Sequence, residues 1–263
     1  MKNFTLYQVD AFAEHPFSGN PAAVVILDEW ISIELMQNIA MENNLSETAF
    51  IVPHKEVFNI RYFTPLNEVE LCGHATLASA HVLFNFYGQK GKTITFRTQQ
   101  RGDLLIVQDQ QVIKMNFPCD NYKKVSVPNN VGAALGIEPL EAYWGLNDLM
   151  LVYETEEQIK SVVPNFDLLN GIEARGVLIT ATGSNVDFVS RFFAPREGIN
   201  EDPVTGSAHT TLIPYWSQRL GKKALLAKQL SKRGGTIYCE MKGERVEIGG
   251  KAIHYLTGTI SVE

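Results

Sequence analysis

The sequence is short of several things that would each have pointed to a function. It holds three cysteines in 263 residues, Cys72, Cys119 and Cys239, odd in number and far apart. Neither a disulfide framework nor a zinc site of paired thiols or closely spaced Cys/His ligands is expected. No run of about 18 apolar residues is present to span a bilayer, so a membrane is not an expected partner. Residues 1–12 alternate as a strand does, without the apolar core of a signal peptide, and a reducing cytoplasm is the expected compartment. The 23 Lys and Arg are outnumbered by 29 Asp and Glu, for a net charge of −6, and the basic residues form no block. Nucleic acid is therefore not an expected main partner, because neutralising phosphates takes clustered Lys and Arg.

Cofactor and nucleophile signatures are missing too. Gly19-Asn20-Pro21 and Gly234-Gly235 read as turns, and neither lies between a strand and a helix as a phosphate-binding loop must. His15, His54, His81 and His254 have no metal-type partner three or four residues on, and no serine sits in a nucleophile elbow. Neither a cofactor nor a metal is expected.

What is there is ordinary globular composition, 45% hydrophobic and 20% charged. The length allows one large domain or two of roughly 120–130 residues, each able to bury a core. Alternation predicts strands at 4–12, 22–27, 48–52, 57–64, 93–98, 103–107 and 112–117, and apolar spacing predicts a helix from Ile31 to about Asn44. Gly73 to Phe84 is apolar or small on nearly every side, which suits a helix inside a core. The second half has the same grammar: strands at 176–182 and 186–193, a Gly-led helix opening at Thr205-Gly206-Ser207-Ala208-His209, then strands at 235–240, 245–248 and 255–262. Pro214 predicts a kink or break in that helix.

Strands, a buried Gly-led helix and more strands, twice over, suggest a pseudo-repeat. If the two halves face each other at the helix starts, both N-termini point into one cleft and favour an anion there. The same alternation also fits a parallel α/β fold.

Several stretches resemble the PhzF-like (phenazine biosynthesis-like) family, and they come in that family's order. They are Val9-Asp10-Ala11-Phe12 with Phe17-Ser18-Gly19-Asn20-Pro21, then Leu45-Ser46-Glu47-Thr48-Ala49-Phe50, then Arg61-Tyr62-Phe63-Thr64-Pro65 running to Cys72-Gly73-His74-Ala75-Thr76. The last is Arg191-Phe192-Phe193-Ala194-Pro195 running to Glu201-Asp202-Pro203-Val204-Thr205-Gly206-Ser207-Ala208-His209. The resemblance implies an α+β, diaminopimelate-epimerase-like fold of two pseudo-repeated domains, each a barrel-like mixed or antiparallel sheet around a central buried helix. It places the halves at 1–117, joined by the last strand at about 255–263, and at 118–254, with the active site in the cleft between them. It also implies a homodimer, and a relative that isomerises trans-2,3-dihydro-3-hydroxyanthranilate. The family's catalytic glutamate matches Glu47, and its supporting groups match His74, Asp202 and Ser207.

The residues themselves allow that chemistry. Glu47 precedes an apolar strand, where a partly desolvated carboxylate can both take and return a proton; a solvated turn residue is the plainer reading. His74 follows Gly73 at a helix start and suits a proton relay, or a capping or core role. Asp202 can hold the His74 tautomer, bind a substrate hydroxyl or amine, or cap the second helix. Thr205, Gly206 and Ser207 offer hydroxyls and N–H groups for a carboxylate, or for capping alone. Ser18, Asn20, Cys72 and Gly73 complete the expected substrate-binding set. The expected function is a cofactor-independent isomerase that moves a proton between carbons of a small carboxylate. Two readings stand beside it: an epimerase with Glu47 and Cys72 as opposed bases, and a binding module without turnover. Related two-base racemases use a cysteine from each half. Here the second half reads Asp202-Pro203-Val204-Thr205-Gly206 with no thiol, and Cys72 reads as a small buried residue lining the pocket, as free cysteines tend to be.

Overall fold

A computed structural model describes residues 2–262. The chain divides into two compact units, Met1–Asn116 with Gly249–Glu263, and Phe117–Ile248.

The first unit begins with strands β1 (Lys2–Ala11) and β2 (Asn20–Ile26), helix α1 (Ile33–Asn43), and strands β3 (Glu47–His54), β4 (Val57–Phe63) and β5 (Glu68–Val69). Helix α2 (Gly73–Asn85) and strands β6 (Thr93–Arg97), β7 (Asp103–Asp109) and β8 (Val112–Pro118) follow. The second unit holds β9 (Lys123–Val125), α3 (Val131–Leu135), β10 (Glu141–Trp144), β11 (Asp148–Val152), α4 (Glu156–Ser161) and α5 (Phe166–Asn170). It continues with β12 (Gly176–Thr182), β13 (Phe188–Ala194), β14 (Ile199–Asp202), α6 (His209–Leu220), β15 (Ala224–Gln229), β16 (Gly235–Lys242) and most of β17 (Arg245–Gly250). The chain then returns to the first unit as β18 (Ala252–Val262), three residues earlier than the alternation suggested.

In the first unit β1 lies between β18 and β2, antiparallel to both. α1 carries the chain to β3, which joins β2 in parallel, and β3 turns back into β4. β5 pairs with the end of β4, and α2 is the crossover to β6, parallel to β4. β6, β7 and β8 form a meander. Gly249 packs against Val112 and Lys114 of β8 just before the chain enters β18, so the strands close around α2. That explains why α2 is small or apolar all round: nine of its residues between His74 and Leu83 are buried. α1 is different. Ser32 caps it by accepting from the Leu35 N–H, and Met36, Ile39 and Ala40 form one buried face against Val25, Phe50 and Phe63.

The second unit repeats this order. β10 and β11 form a hairpin, α4 and α5 cross to β12 in parallel with β11, and β12 turns back into β13. The short β14 pairs with β13, α6 crosses to β15 in parallel with β13, and β15 turns back into β16. The side chains repeat as well. Arg61 forks onto Glu68 and stands 5.5 Å from the Phe63 ring, while Arg191 forks onto Glu201 and stands 5.0 Å from Phe193.

Two local expectations are corrected. Residues 205–208 are not helical. Gly206 and Ser207 accept from the N–H groups three residues on, and the α-helix begins at His209. Pro214 does not break α6, which runs from His209 to Leu220. Its missing N–H leaves the Thr210 carbonyl free, and the Asp120 N–H takes that oxygen at 3.1 Å. Among the described residues no helix is long and apolar enough to cross a membrane.

Candidate active site

The first unit gathers Asn20, Ser46, Glu47, Cys72 and His74. Gly19 makes this possible, because it sits at φ +70° with the Ala11 carbonyl oxygen 2.2 Å from where a Cβ would be. A side chain there is excluded on both counts. The turn delivers Asn20, fully buried, to the head of β2. Ser46 donates its hydroxyl to Asn20 Oδ1 at 3.0 Å, which leaves the amide Nδ2 facing His74 Nδ1 at 3.2 Å. Nδ1 of the neutral ring is then an acceptor, and the ring proton sits on Nε2. Nε2 lies 2.9 Å from Glu47 Oε2. The N–H is not aligned on that oxygen, so Oε2 is buried with no in-line donor.

Cys72 Sγ stands 3.4 Å from His74 Nδ1, an acceptor for the second proton when the ring is charged. Burial opposes that charge, yet the Cys72 sulfur and the Glu47 carboxylate outweigh it and hold His74 above the ordinary histidine value. Burial, then the Glu47 charge, push the Cys72 thiol up. Gly73 is the first residue of α2 and lets the chain turn from the extended Cys72 into the helix. Ser18 is buried in the Gly19 turn and donates to the His15 carbonyl at 2.7 Å. Spacing along the chain offered no metal-ligand set. Folding nevertheless brings one donor atom each of Glu47, Cys72 and His74 within 4.8 Å of one another.

The second unit gathers Asp148, Arg175, Asp202, Thr205 and Ser207. Arg175 forks onto Asp148 at 2.9 and 2.5 Å, and Nη2 also donates to Ser207 Oγ at 3.1 Å. Asp202 ends β14 and accepts the Thr205 hydroxyl at 2.5 Å. Buried Gln229 bolts this segment down, accepting from the Thr205 N–H at 2.9 Å and donating to the Asp202 carbonyl at 2.8 Å. Asp202 is not a helix cap, since the residue before α6 is Ala208, with no side-chain cap. Asn20 and Glu47 face the two ring nitrogens of His74.

The internal repeat pairs these residues. Counting from Arg61 and Arg191 in matched ladders, Glu47 corresponds to Gly176. Counting from Glu68 and Glu201, Cys72, Gly73 and His74 correspond to Thr205, Gly206 and Ser207. At Gly176 the Phe192 ring lies 2.2 Å from the position a Cβ would take. The second unit thus has no room for a carboxylate where the first holds Glu47. Arg175 and Gln229 carry no motif of their own; aligning the two halves would have matched Arg175 with Ser46.

A family model described as phenazine biosynthesis-like protein matches residues 9–258. The chain belongs to this family. The PhzF-like chain is 48% identical to an uncharacterized isomerase of Pseudomonas aeruginosa, over 97% of each. It superposes on the crystal structure of a PhzF-family phenazine biosynthesis protein from Enterococcus faecalis with TM-score 0.97 and 46% identity, covering 99% of this chain and 100% of that one. A probable proline racemase from Agrobacterium radiobacter shares the fold at TM-score 0.65 and 10% identity, covering 99% of this chain and 93% of that one. Family membership makes the protein an isomerase of the PhzF-like family with an epimerase-like fold.

Proposed function

We propose that the protein moves a proton between two carbons of a small amino or hydroxy carboxylate, with Glu47 as the one group that takes and returns it. The observation that carries this reading is the buried, undersatisfied Glu47 Oε2 beside His74, set against Gly176 at the matching place in the second unit. A carboxylate oxygen without an in-line donor keeps a lone pair open to a substrate proton. Glu47 Oε2 takes the proton from a substrate carbon, and the electron pair of the broken C–H bond moves into the adjoining unsaturated system. The same carboxyl then returns the proton to another carbon. His74 Nε2–H stays close to the carboxylate in both states and moderates its charge. The family motifs and the absence of a phosphate-binding loop in the sequence support a reaction without a cofactor.

Arg175 and Ser207 suit the substrate carboxylate. Ser207 Oγ already accepts from Arg175, so its own hydroxyl proton is available to a substrate oxygen. Asp202 suits a substrate hydroxyl or amine.

The distances speak against an epimerase with Glu47 and Cys72 as opposed bases. Bases on opposite faces of a carbon, each about 3–3.5 Å from it, stand roughly 6–7 Å apart. The Glu47 and Cys72 donor atoms lie within 4.8 Å of each other.

The test is proton exchange in D₂O followed by NMR across a panel of small amino and hydroxy carboxylates, dihydro-3-hydroxyanthranilate and diaminopimelate among them. Carbon-bound deuterium should appear with the parent and not with Glu47→Gln. Exchange that survives in Glu47→Gln removes Glu47 from the chemistry. No exchange with any acid, from a folded protein, favours the binding-module reading.

A further inference from the structure

The two units guard matching sheet edges differently. β18 lies against β1 as β9 lies against β10, antiparallel in both, so the two strands hold equivalent outer places. β9 is three residues long and wholly exposed, and two of the three are Lys123 and Lys124. Short length and lysine are common defences of an open edge against a stray strand. β18 has neither. It runs eleven residues from Ala252 to Val262, about 36 Å of strand, without an Asp, Glu, Lys, Arg or Pro. Its one histidine, His254, is held below the ordinary value by burial and is neutral at pH 7. β1 takes one side of β18, and among the described residues no strand is registered on the other. Ile260 and Val262 pack toward the α1 cluster, while Tyr255, Leu256, Thr257, Thr259 and Ser261 are exposed. Phe17, 70% exposed, meets the half-exposed Tyr255 ring edge to face at 5.9 Å and widens the apolar ground beside the strand.

A row of main-chain N–H and C=O groups this long accepts an extended strand. Charge decides which one. When a strand pairs antiparallel with its own copy about a two-fold axis, any charge near the axis meets the same charge. β18 brings no such charge, so its edge is complementary to itself, whereas β9 would set lysine against lysine. We infer that the free edge of β18 pairs antiparallel with β18 of a second copy of this chain, joining the β1–β18 sheets of two protomers into one. Tyr255 and Leu256 lie on the seam, Phe17 adds to it through Tyr255, and all three lose water when it closes. The inference stands apart from the proposed reaction.

Sedimentation velocity of the full chain should give twice its 29.4 kDa. Thr257→Lys combined with Thr259→Lys puts like charges at and beside the middle of the strand, from two exposed positions. The pair should weaken the dimer about 100-fold or more, with circular dichroism unchanged. Leu146→Lys charges an exposed leucine of the second unit and should leave the dimer intact. Hydrogen exchange read residue by residue by NMR identifies the edge. Alternate β18 amides, those not bonded to β1, should exchange slowly in the parent and about tenfold faster or more in the double variant. The parent alone keeps the test open if the double variant does not fold. A monomeric parent, or a dimer unchanged by the two lysines, overturns the inference. So do alternate amides that exchange freely in a dimeric parent, or that stay slow after dilution to monomer.

Discussion

Glu47 and Gly176 stand at the heads of matching strands, but the place of a side chain at Gly176 is filled by the Phe192 ring, 2.2 Å from where its Cβ would be. The two repeats differ at this pair. Gly176→Ala should destabilise the protein by about 1–3 kcal/mol, because the ring has to give way in a packed interior. Combined with Phe192→Ala, it should cost less than the sum of the two single changes in urea unfolding. A Gly176→Ala protein of parental stability would mean that the ring does not fill the space.

Glu47→Gln keeps the shape and removes the proton acceptor. Carbon–proton exchange should fall by about 10²–10⁴-fold, with KM changed far less than kcat.

Asn20, itself buried, joins the part-buried Ser46 to the buried His74. Asn20→Ala leaves two polar groups without that partner and should cost about 1–3 kcal/mol. Asn20→Asp places an acceptor-only group beside Nδ1 and should move the ring proton there. At a pH where the His74 ring is neutral its nitrogen chemical shifts report the tautomer directly, and shifts identical to the parent in Asn20→Asp would remove Asn20 from the positioning role.

Arg175 holds Asp148 with two bonds and Ser207 with a third. Arg175→Lys keeps the charge but not the fork, so Ser207 loses its donor. With a substrate in hand, KM should rise about tenfold while kcat falls much less. Equal KM in the variant and the parent would assign the substrate carboxylate elsewhere.

His209 is buried at the start of α6, with Nδ1 bonded to the Thr205 carbonyl at 2.8 Å, and burial lowers its pKa from 6.5 to about 4. Unfolded chains bind the proton first as pH falls. The stability that neutral His209 contributes is therefore full above pH 6.5, is lost between 6.5 and about 4, and stays flat below that. The full difference is on the order of 3 kcal/mol. Urea midpoints at several pH values in that window should fall more steeply for the parent than for His209→Gln; parallel curves would mean the imidazole is protonated in the fold.

Much of the fold was legible in residue order. Alternation marked most strands of the first unit, and the uncharged run from Gly73 to Phe84 marked a helix that only an interior could hold. The short strands β10, β11 and β15 carried less pattern, because in β11 both faces are buried and no alternation remains. The helix start expected at Thr205 moved to His209 because Thr205 is tied back to Asp202 and Gln229, a contact 24 residues away that no local propensity reports.

The sequence by itself determined the family, the buried helix and the residues Glu47, Cys72, His74, Asp202 and Ser207, because motifs and periodicity are written in neighbouring positions. The tertiary structure alone decided what each of them meets. It brought Asn20 to His74 across 54 residues and Arg175 to Ser207 across 32, and it put the Phe192 ring against Gly176, the counterpart of Glu47 in the second repeat. Hydrogen-bond direction and occupied volume depend on atoms converging from distant segments, and no spacing along one strand or helix records them.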